Sequence, residues 1–311
     1  MTKLKLSILT VLTLIITSSL FYSCSNEDSV GIENEKVDFL NELKAFNTNY
    51  QLTVIDVQED PVLLSKGDDC GFWCTVGKVV VVAGADLAGA AVGVKAVAVI
   101  AGATAGTGVG TPLAAGLVVG GAVLGGAAGS IVAAVKVNEA TSQKAFKKSN
   151  NSFGKKLFIK NLDIKYPPEF SYLEKTGELH NIELYNHFNG FSRKTTKLTD
   201  IESIEDTEEW KEAIGKTEDI INNYVSNNFN TDNLTKSLYD EGLISKDIQN
   251  VLNIFYDIYN NIQNSGNIKD ISNFYINAIS NSNVLSYEDK TALIVSFSVA
   301  SESPFYWSNQ N

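Results

Sequence analysis

Residues 79–137 read VVVVAGADLAGAAVGVKAVAVIAGATA (79–105), GTGVGTP (106–112) and LAAGLVVGGAVLGGAAGSIVAAVKV (113–137). Valine, alanine, leucine and glycine make up almost all of it, and Asp86 and Lys95 are its only charges before Lys136. The central GTGVGTP concentrates turn-forming glycines and ends on a proline, which a continuous helix does not survive. The stretch therefore predicts a helical hairpin with arms from about Val79 to Ala105 and from about Leu113 to Val137. At 1.5 Å per residue each arm is roughly 35–40 Å long, enough to cross a bilayer core.

Of the 23 glycines in the 311-residue chain, 15 lie between Gly71 and Gly129, so the segment has its own physics. Five glycine pairs at i,i+4 spacing fall within residues 96–135: Gly102/Gly106, Gly106/Gly110, Gly116/Gly120, Gly121/Gly125 and Gly125/Gly129. Such ridges let helix backbones approach closely where lipid removes the hydrophobic drive. At 100° per residue, Gly89 and Gly93 lie nearly opposite Gly84, Gly102 and Gly106, and Gly116 and Gly120 lie apart from Gly121, Gly125 and Gly129. Small residues on two faces predict close neighbours on both sides, which suits self-association. Lys95 opposes simple insertion, because a lysine at a helix centre costs about 2.5–3.5 kcal/mol on translocon scales. In water each interior glycine weakens a helix by up to about 1 kcal/mol, so the hairpin needs lipid, copies of itself or the rest of the chain around it.

Ahead of the hairpin, Cys70-Gly71-Phe72-Trp73-Cys74 places two cysteines four apart. In an exported protein this spacing suits a Cys70–Cys74 disulfide, with two free thiols as the other reading. It lacks the ligand complement of a structural zinc site, and no metal site or cofactor is expected. Residues 1–23 carry Lys3 and Lys5 and then an apolar run from Leu6 to Thr17, the pattern of a signal peptide. Ser23-Cys24 resembles a bacterial lipobox, which implies cleavage before Cys24 and a lipid anchor on its sulfur; an unlipidated signal is the alternative. Acidic Glu27 and Asp28 directly after it resemble the export signals of surface-exposed lipoproteins, so the expected location is the outer membrane. Removing the signal takes away two lysines, leaving 23 cationic against 36 acidic residues, a net charge of −13. That charge makes nucleic acid an unlikely partner on electrostatic grounds.

Residues 24–69 read as an acidic tether with short elements, including Val37, Leu40, Leu43 and Phe46 at helical spacing and an extended stretch from Gln51 to Val57. Residues 138–311 change to Asn, Lys, Asp, Ile and Tyr and read as a helical bundle domain. Pro167-Pro168 marks a break, and a helix follows from Gly177 to Phe188. Further helices are predicted over Thr207–Asn227, Ser245–Gln263, Ile268–Asn281 and Tyr287–Ser301, with Ser245 and Ser286 as N-caps. His180 and His187 are too far apart for the i,i+4 pair of a zinc helix and read as structural. The fold class expected is mainly α, a glycine-rich helical hairpin (70–137) plus a C-terminal helical bundle (138–311).

The hairpin resembles the glycine-zipper segments of membrane-active bacteriocins, and Gly177-Glu178-Leu179-His180-Asn181 together with Ser298–Trp307 resembles a group of uncharacterised exported bacterial proteins. The first resemblance implies membrane perturbation; the second implies no activity. The functional expectation is a lipid-anchored envelope protein whose hairpin self-associates or inserts conditionally in membranes, with pore formation as the implied activity. The packing residues are Gly89, Gly93, Gly102, Gly106, Gly116, Gly120, Gly121, Gly125 and Gly129, and the partners are membrane lipid, through Cys24 and the hairpin, and further copies of the chain. The alternative is a surface lipoprotein that binds a partner through its C-terminal domain, the hairpin being purely structural. No nucleophile–base pair or carboxylate couple stands out, and no enzymatic activity is expected.

Overall fold

The computed structural model describes residues 33–52, 72–105, 112–140, 162–190, 205–227, 229–259 and 265–308, with side chains of the two apolar helices described over 82–100 and 115–137. Every regular element among the described residues is helical. In chain order they are α1 (33–52), α2 (Phe72–Ala105), α3 (Pro112–Ala140), a 3-10 turn (Pro168–Leu173) and α4 (Thr176–Asn189). There follow α5 (Glu208–Ser226), α6 (Thr231–Asp240), α7 (Lys246–Tyr259), α8 (Ser265–Asn281) and α9 (Tyr287–Ser308). The expected signal (1–23), Cys24, residues 53–57 of the expected extended stretch, Cys70 and Gly106 lie outside the described residues, and Gln51 and Leu52, expected extended, instead finish α1.

Helices α2 and α3 are apolar on every face, and such helices are stable only when covered all round. Here they pack on each other and sit inside the remaining helices. Within their most apolar windows, in Val82–Ile100 and Ala115–Val137, 78% and 72% of the residues are buried. The two backbones touch through glycine. A methyl at Gly93 would overlap the Gly121 carbonyl oxygen, one at Gly89 the Gly125 carbonyl oxygen, and one at Gly129 the Ala85 carbonyl oxygen. The opposite side of α2 is occupied as well, since a methyl at Gly84 would meet Tyr256 Cε1 at 3.3 Å. Both small-residue faces of α2 therefore have neighbours within the chain.

The surrounding helices are built by ordinary rules. Helices α5, α6, α7 and α9 are capped by side chains: Thr207 Oγ1 accepts from the Trp210 amide (3.3 Å), Asn230 Oδ1 from Asn233 (2.9 Å), Ser245 Oγ from Ile248 (3.1 Å) and Ser286 Oγ from Asp289 (3.0 Å). Gly190 ends α4 in the left-handed region, at φ +68°, where a side chain would be strained. Helix α7 turns Ile248, Val251, Leu252, Phe255 and Ile258 inward, against α8, α9 and α1. In α1 the inner face holds Leu40, Leu43 and Phe46 of the expected stripe together with Phe39 and Asn47, while Val37, expected inward, is 51% exposed. Asn47 is satisfied on that face: its Nδ2 donates to the Ile254 carbonyl (2.6 Å) and its Oδ1 accepts from Tyr275 (2.8 Å).

Helix α9 is the third buried rod, with residues 292–301 all buried. It runs seven residues past the predicted end, through Pro304. A proline in a helix leaves the carbonyl four residues back without its donor, and that carbonyl, of Ala300, instead accepts from the Tyr259 hydroxyl at 2.8 Å. A single apolar cluster runs from Phe39 through the α2 and α3 residues to Trp307.

If the glycine contacts set the α2–α3 spacing, Gly93→Ala should destabilise the protein by about 2–3 kcal/mol, the cost of overpacking a rigid core. Gly116→Ala, at an exposed site with nothing within 4 Å of the added carbon, should be neutral or stabilising by up to about 1 kcal/mol. Urea denaturation of the two variants checks this difference.

Candidate functional site

A lone aspartate on an apolar helix must find polar partners, because burying an unpaired carboxylate is costly. Asp86 of α2 is fully buried. Its Oδ2 accepts hydrogen bonds from Ser303 Oγ and from Trp307 Nε1 (3.4 Å), both on α9. Its Oδ1 has no hydrogen-bond partner. His180 of α4, also fully buried, brings Nε2 to 3.8 Å from Asp86 Oδ2 and 3.4 Å from Ser130 Oγ of α3. Its Nδ1 lies 3.2 Å from Asn181 Oδ1, and Asn181 Nδ2 donates to the Glu302 carbonyl at 2.9 Å. The imidazole rests on Gly126 of α3, where a methyl would come within 3.0 Å of Cδ2. Four helices thus meet at one polar cluster in an otherwise apolar interior.

Burial holds the His180 pKa down at about 4, against the opposing pull of hydrogen bonds with Asn181 and the Gly126 backbone. Around the pair, Tyr256 donates to the Gly84 carbonyl at 2.6 Å, and burial pushes both the Tyr256 and Tyr259 hydroxyls well above their ordinary range. Ser130 and Asp86 approach the same imidazole nitrogen. The ring therefore does not stand between a nucleophile and an orienting carboxylate, as it does in a hydrolytic triad.

The other charge of α2's described stretch is held by the same helix. Lys95 Nζ lies 2.6 Å from Glu288 Oε1 and 3.4 Å from Asp289 Oδ1, at the start of α9. Helix α9 therefore meets Lys95 with its first turn and Asp86 with its last. Pairing Asp86 with His180, 94 positions further along the chain, is what the sequence reading missed. Each was visible alone, Asp86 as a liability in an apolar arm and His180 as a structural histidine, and the signal that joins them is the need of one for the other.

Among the expected packing residues, Gly89, Gly93, Gly121, Gly125 and Gly129 lie at the α2–α3 contact. Gly120 is buried and Gly116 is exposed. Gly102 and Cys74 fall within α2 in portions whose side chains are not described, and Cys24, Cys70 and Gly106 lie outside the described residues. The exposed large apolar side chains on these two helices are scattered: Val99 (61% exposed) lies towards the C-terminal end of α2, and Val135 (45%) towards that of α3.

A cavity of about 210 Å³ lies between the extended segment 162–167, α4 and α9, lined by Tyr166, Glu174, Lys175, Glu178, Ser298 and Glu302 among others. It is smaller than most small-molecule sites. Among the described residues no three His, Cys, Asp or Glu side chains are grouped to hold a metal ion. No protein-family model, curated protein or solved structure matches the chain.

Ser303→Ala removes a donor from a carboxylate that already has one unpartnered oxygen, and should cost about 1–3 kcal/mol at pH 7. Ser301→Ala is the control, since its hydroxyl bonds the Ser298 carbonyl of its own helix; it should cost less than about 1 kcal/mol. Equal losses in urea denaturation would show that Asp86 draws no stability from Ser303.

Proposed function

We propose that the chain is a lipid-anchored cell-envelope protein whose α2–α3 pair, a glycine-zipper hairpin, is stored inside a helical coat and enters a membrane when that coat opens. In this reading Cys24 carries the anchor, and the opened protein perturbs membranes as a pore-forming antagonist does. The observation that carries it is that α9 meets both ionisable side chains of the arm, Asp86, whose pKa burial pushes well above its ordinary value, and Lys95. The obstacle to inserting α2 is those two side chains, and both are managed by a helix outside the hairpin. Length and composition support the same reading, since both arms are long and apolar enough to cross a bilayer. Closely packed arms also remain associated in lipid, where glycine contacts hold helices together. Self-association through Gly89, Gly93, Gly121, Gly125 or Gly129 requires the arms to separate first, because these glycines are engaged between the arms.

The burial of the arms favours a second reading, in which the hairpin is the permanent core of a surface lipoprotein that binds a partner through its outer helices. Dye release from phosphatidylethanolamine–phosphatidylglycerol vesicles separates the two. On the first reading the mature protein releases dye, and Val99→Asp, which is exposed and leaves the closed fold intact, suppresses release about a hundredfold through an added insertion cost of roughly 2.5–3.5 kcal/mol. Absence of release from pH 4 to pH 8 would sink the first reading and leave the second.

A further inference from the structure

The cavity of about 210 Å³ beside α4 and α9 has three walls of different chemistry. Glu174, just ahead of α4, and Glu178, in its first turn, line one side, and Glu302 of α9 lines another. The third wall is the segment that carries Leu162, Ile164 and Tyr166. Three carboxylates against one ammonium, that of Lys175, leave the described lining with two negative charges in excess. The lining hydroxyls of α9 are engaged with the backbone: Ser298 Oγ accepts from the Gly177 amide at 3.2 Å, and Ser301 Oγ donates to the Ser298 carbonyl at 2.7 Å.

Each wall is fixed from outside the cavity, so the space is built in advance of any ligand. Helices α4 and α9 touch at Gly177, where a methyl would overlap the Ser298 carbonyl oxygen. The third wall is tied to α8, with the Lys165 amide donating to Asn273 Oδ1 at 2.7 Å and Asp163 Oδ2 lying 3.1 Å from Lys269 Nζ. Leu162 also packs with Ile268 and Phe305. Carboxylates from both charged walls act on the tyrosine between them. Burial, opposed by a hydrogen bond with Ser298 and reinforced by the charges of Glu302 and Glu174, pushes the Tyr166 hydroxyl up to about 12.

These features select a ligand. The excess charge calls for a cation, and an aromatic ring in the wall adds to its attraction. A single metal ion does not match the arrangement, because among the described residues no three carboxylates are grouped around one point. Carboxylates on two walls with an apolar wall beside them match a cation whose charges stand at the two ends of a hydrocarbon chain. At about 30 Å³ per water-sized group the space takes roughly seven groups, the size of four or five carbons with a nitrogen at each end. We propose that this cavity binds a short aliphatic diamine in its doubly protonated form, one ammonium on Glu174 and Glu178, the other on Glu302, and the methylenes on Leu162, Ile164 and the Tyr166 ring.

The site goes beyond the membrane reading and is tested without lipid, so either can fail alone. The chain's net charge of −11 attracts any cation, and the experiment has to separate a site from that general attraction. Calorimetric titration of the full chain with 1,4-diaminobutane at about 0.15 M salt, which screens exposed charges beyond roughly 8 Å, should show one saturable site. 1-Aminobutane, which carries the single ammonium of a lipid headgroup or a lysine side chain, should bind about tenfold more weakly for want of one charged contact. Glu178→Gln and Glu302→Gln should each weaken the diamine by about the same factor, and Glu42→Gln, exposed on α1, should leave its affinity unchanged. A ligand that bridges α4 and α9 also raises the urea midpoint of the native protein, and this rise should be lost in Glu302→Gln. Should that variant fail to fold, Glu178→Gln and the native protein decide the matter, the latter through diamine-induced shifts of the Tyr166 and Ser298 resonances. Equal weakening by Glu42→Gln, equal binding of magnesium ion or 1-aminobutane, or no saturable binding by the native protein overturns the proposal.

Discussion

The contact on which the rest of the molecule depends is backbone against backbone, between α2 and α3 at Gly89, Gly93, Gly121, Gly125 and Gly129. At these five positions glycine leaves the seam almost no side-chain area to bury, so cohesion there comes from dispersion at close range between main chains. That attraction falls off within a fraction of an ångström, which makes the spacing rigid and the two arms a single rod. A rod of this kind has no polar face to turn to water. The other helices are accordingly arranged around it, amphipathic where they meet solvent and capped in the usual way, with α9 itself buried along most of its length.

Much of this was legible in the sequence, and the reasons are specific. The arms were marked by composition and by the breaker run around Gly106–Pro112. The α7 stripe was marked by period, and the caps at Ser245 and Ser286 by residue type. What escaped was set by partners distant in the chain. Helix α6 (Thr231–Asp240) offers only Leu234 and Leu238 as an apolar signal in a polar decapeptide. The passage of α9 through Pro304 depends on a tyrosine more than 40 residues earlier, Tyr259, which takes the freed carbonyl. On α1 the buried Asn47 escaped, a polar residue that an apolar pattern does not register, beside Leu40, Leu43 and Phe46, which the pattern did mark.

The candidate site was harder to read for the same reason, in sharper form. Glycine spacing pointed to helix packing but not to which helix, and two faces of small residues suggested copies of the chain. The structure supplies α3 for one face and the aromatic Tyr256 for the other. Asp86 and Lys95 were legible as obstacles to insertion. Their resolution, by His180 and by the two ends of α9, requires knowing which distant helix lies alongside, and that is three-dimensional information. Electrostatics here is a long-range instruction: two charges on an apolar arm specify their neighbours more tightly than its valines and alanines do.

Helix α9 is the last helix described, and the rod it covers comes near the beginning. A ribosome or translocon therefore delivers α2 and α3 about 150 residues before the helix that answers their charges, a delay on the order of 10–30 s at ordinary rates of synthesis. During that interval two long apolar helices are present without their cover. Biogenesis of this protein thus has a vulnerable window fixed by gene order, which closes only when α9 has been made.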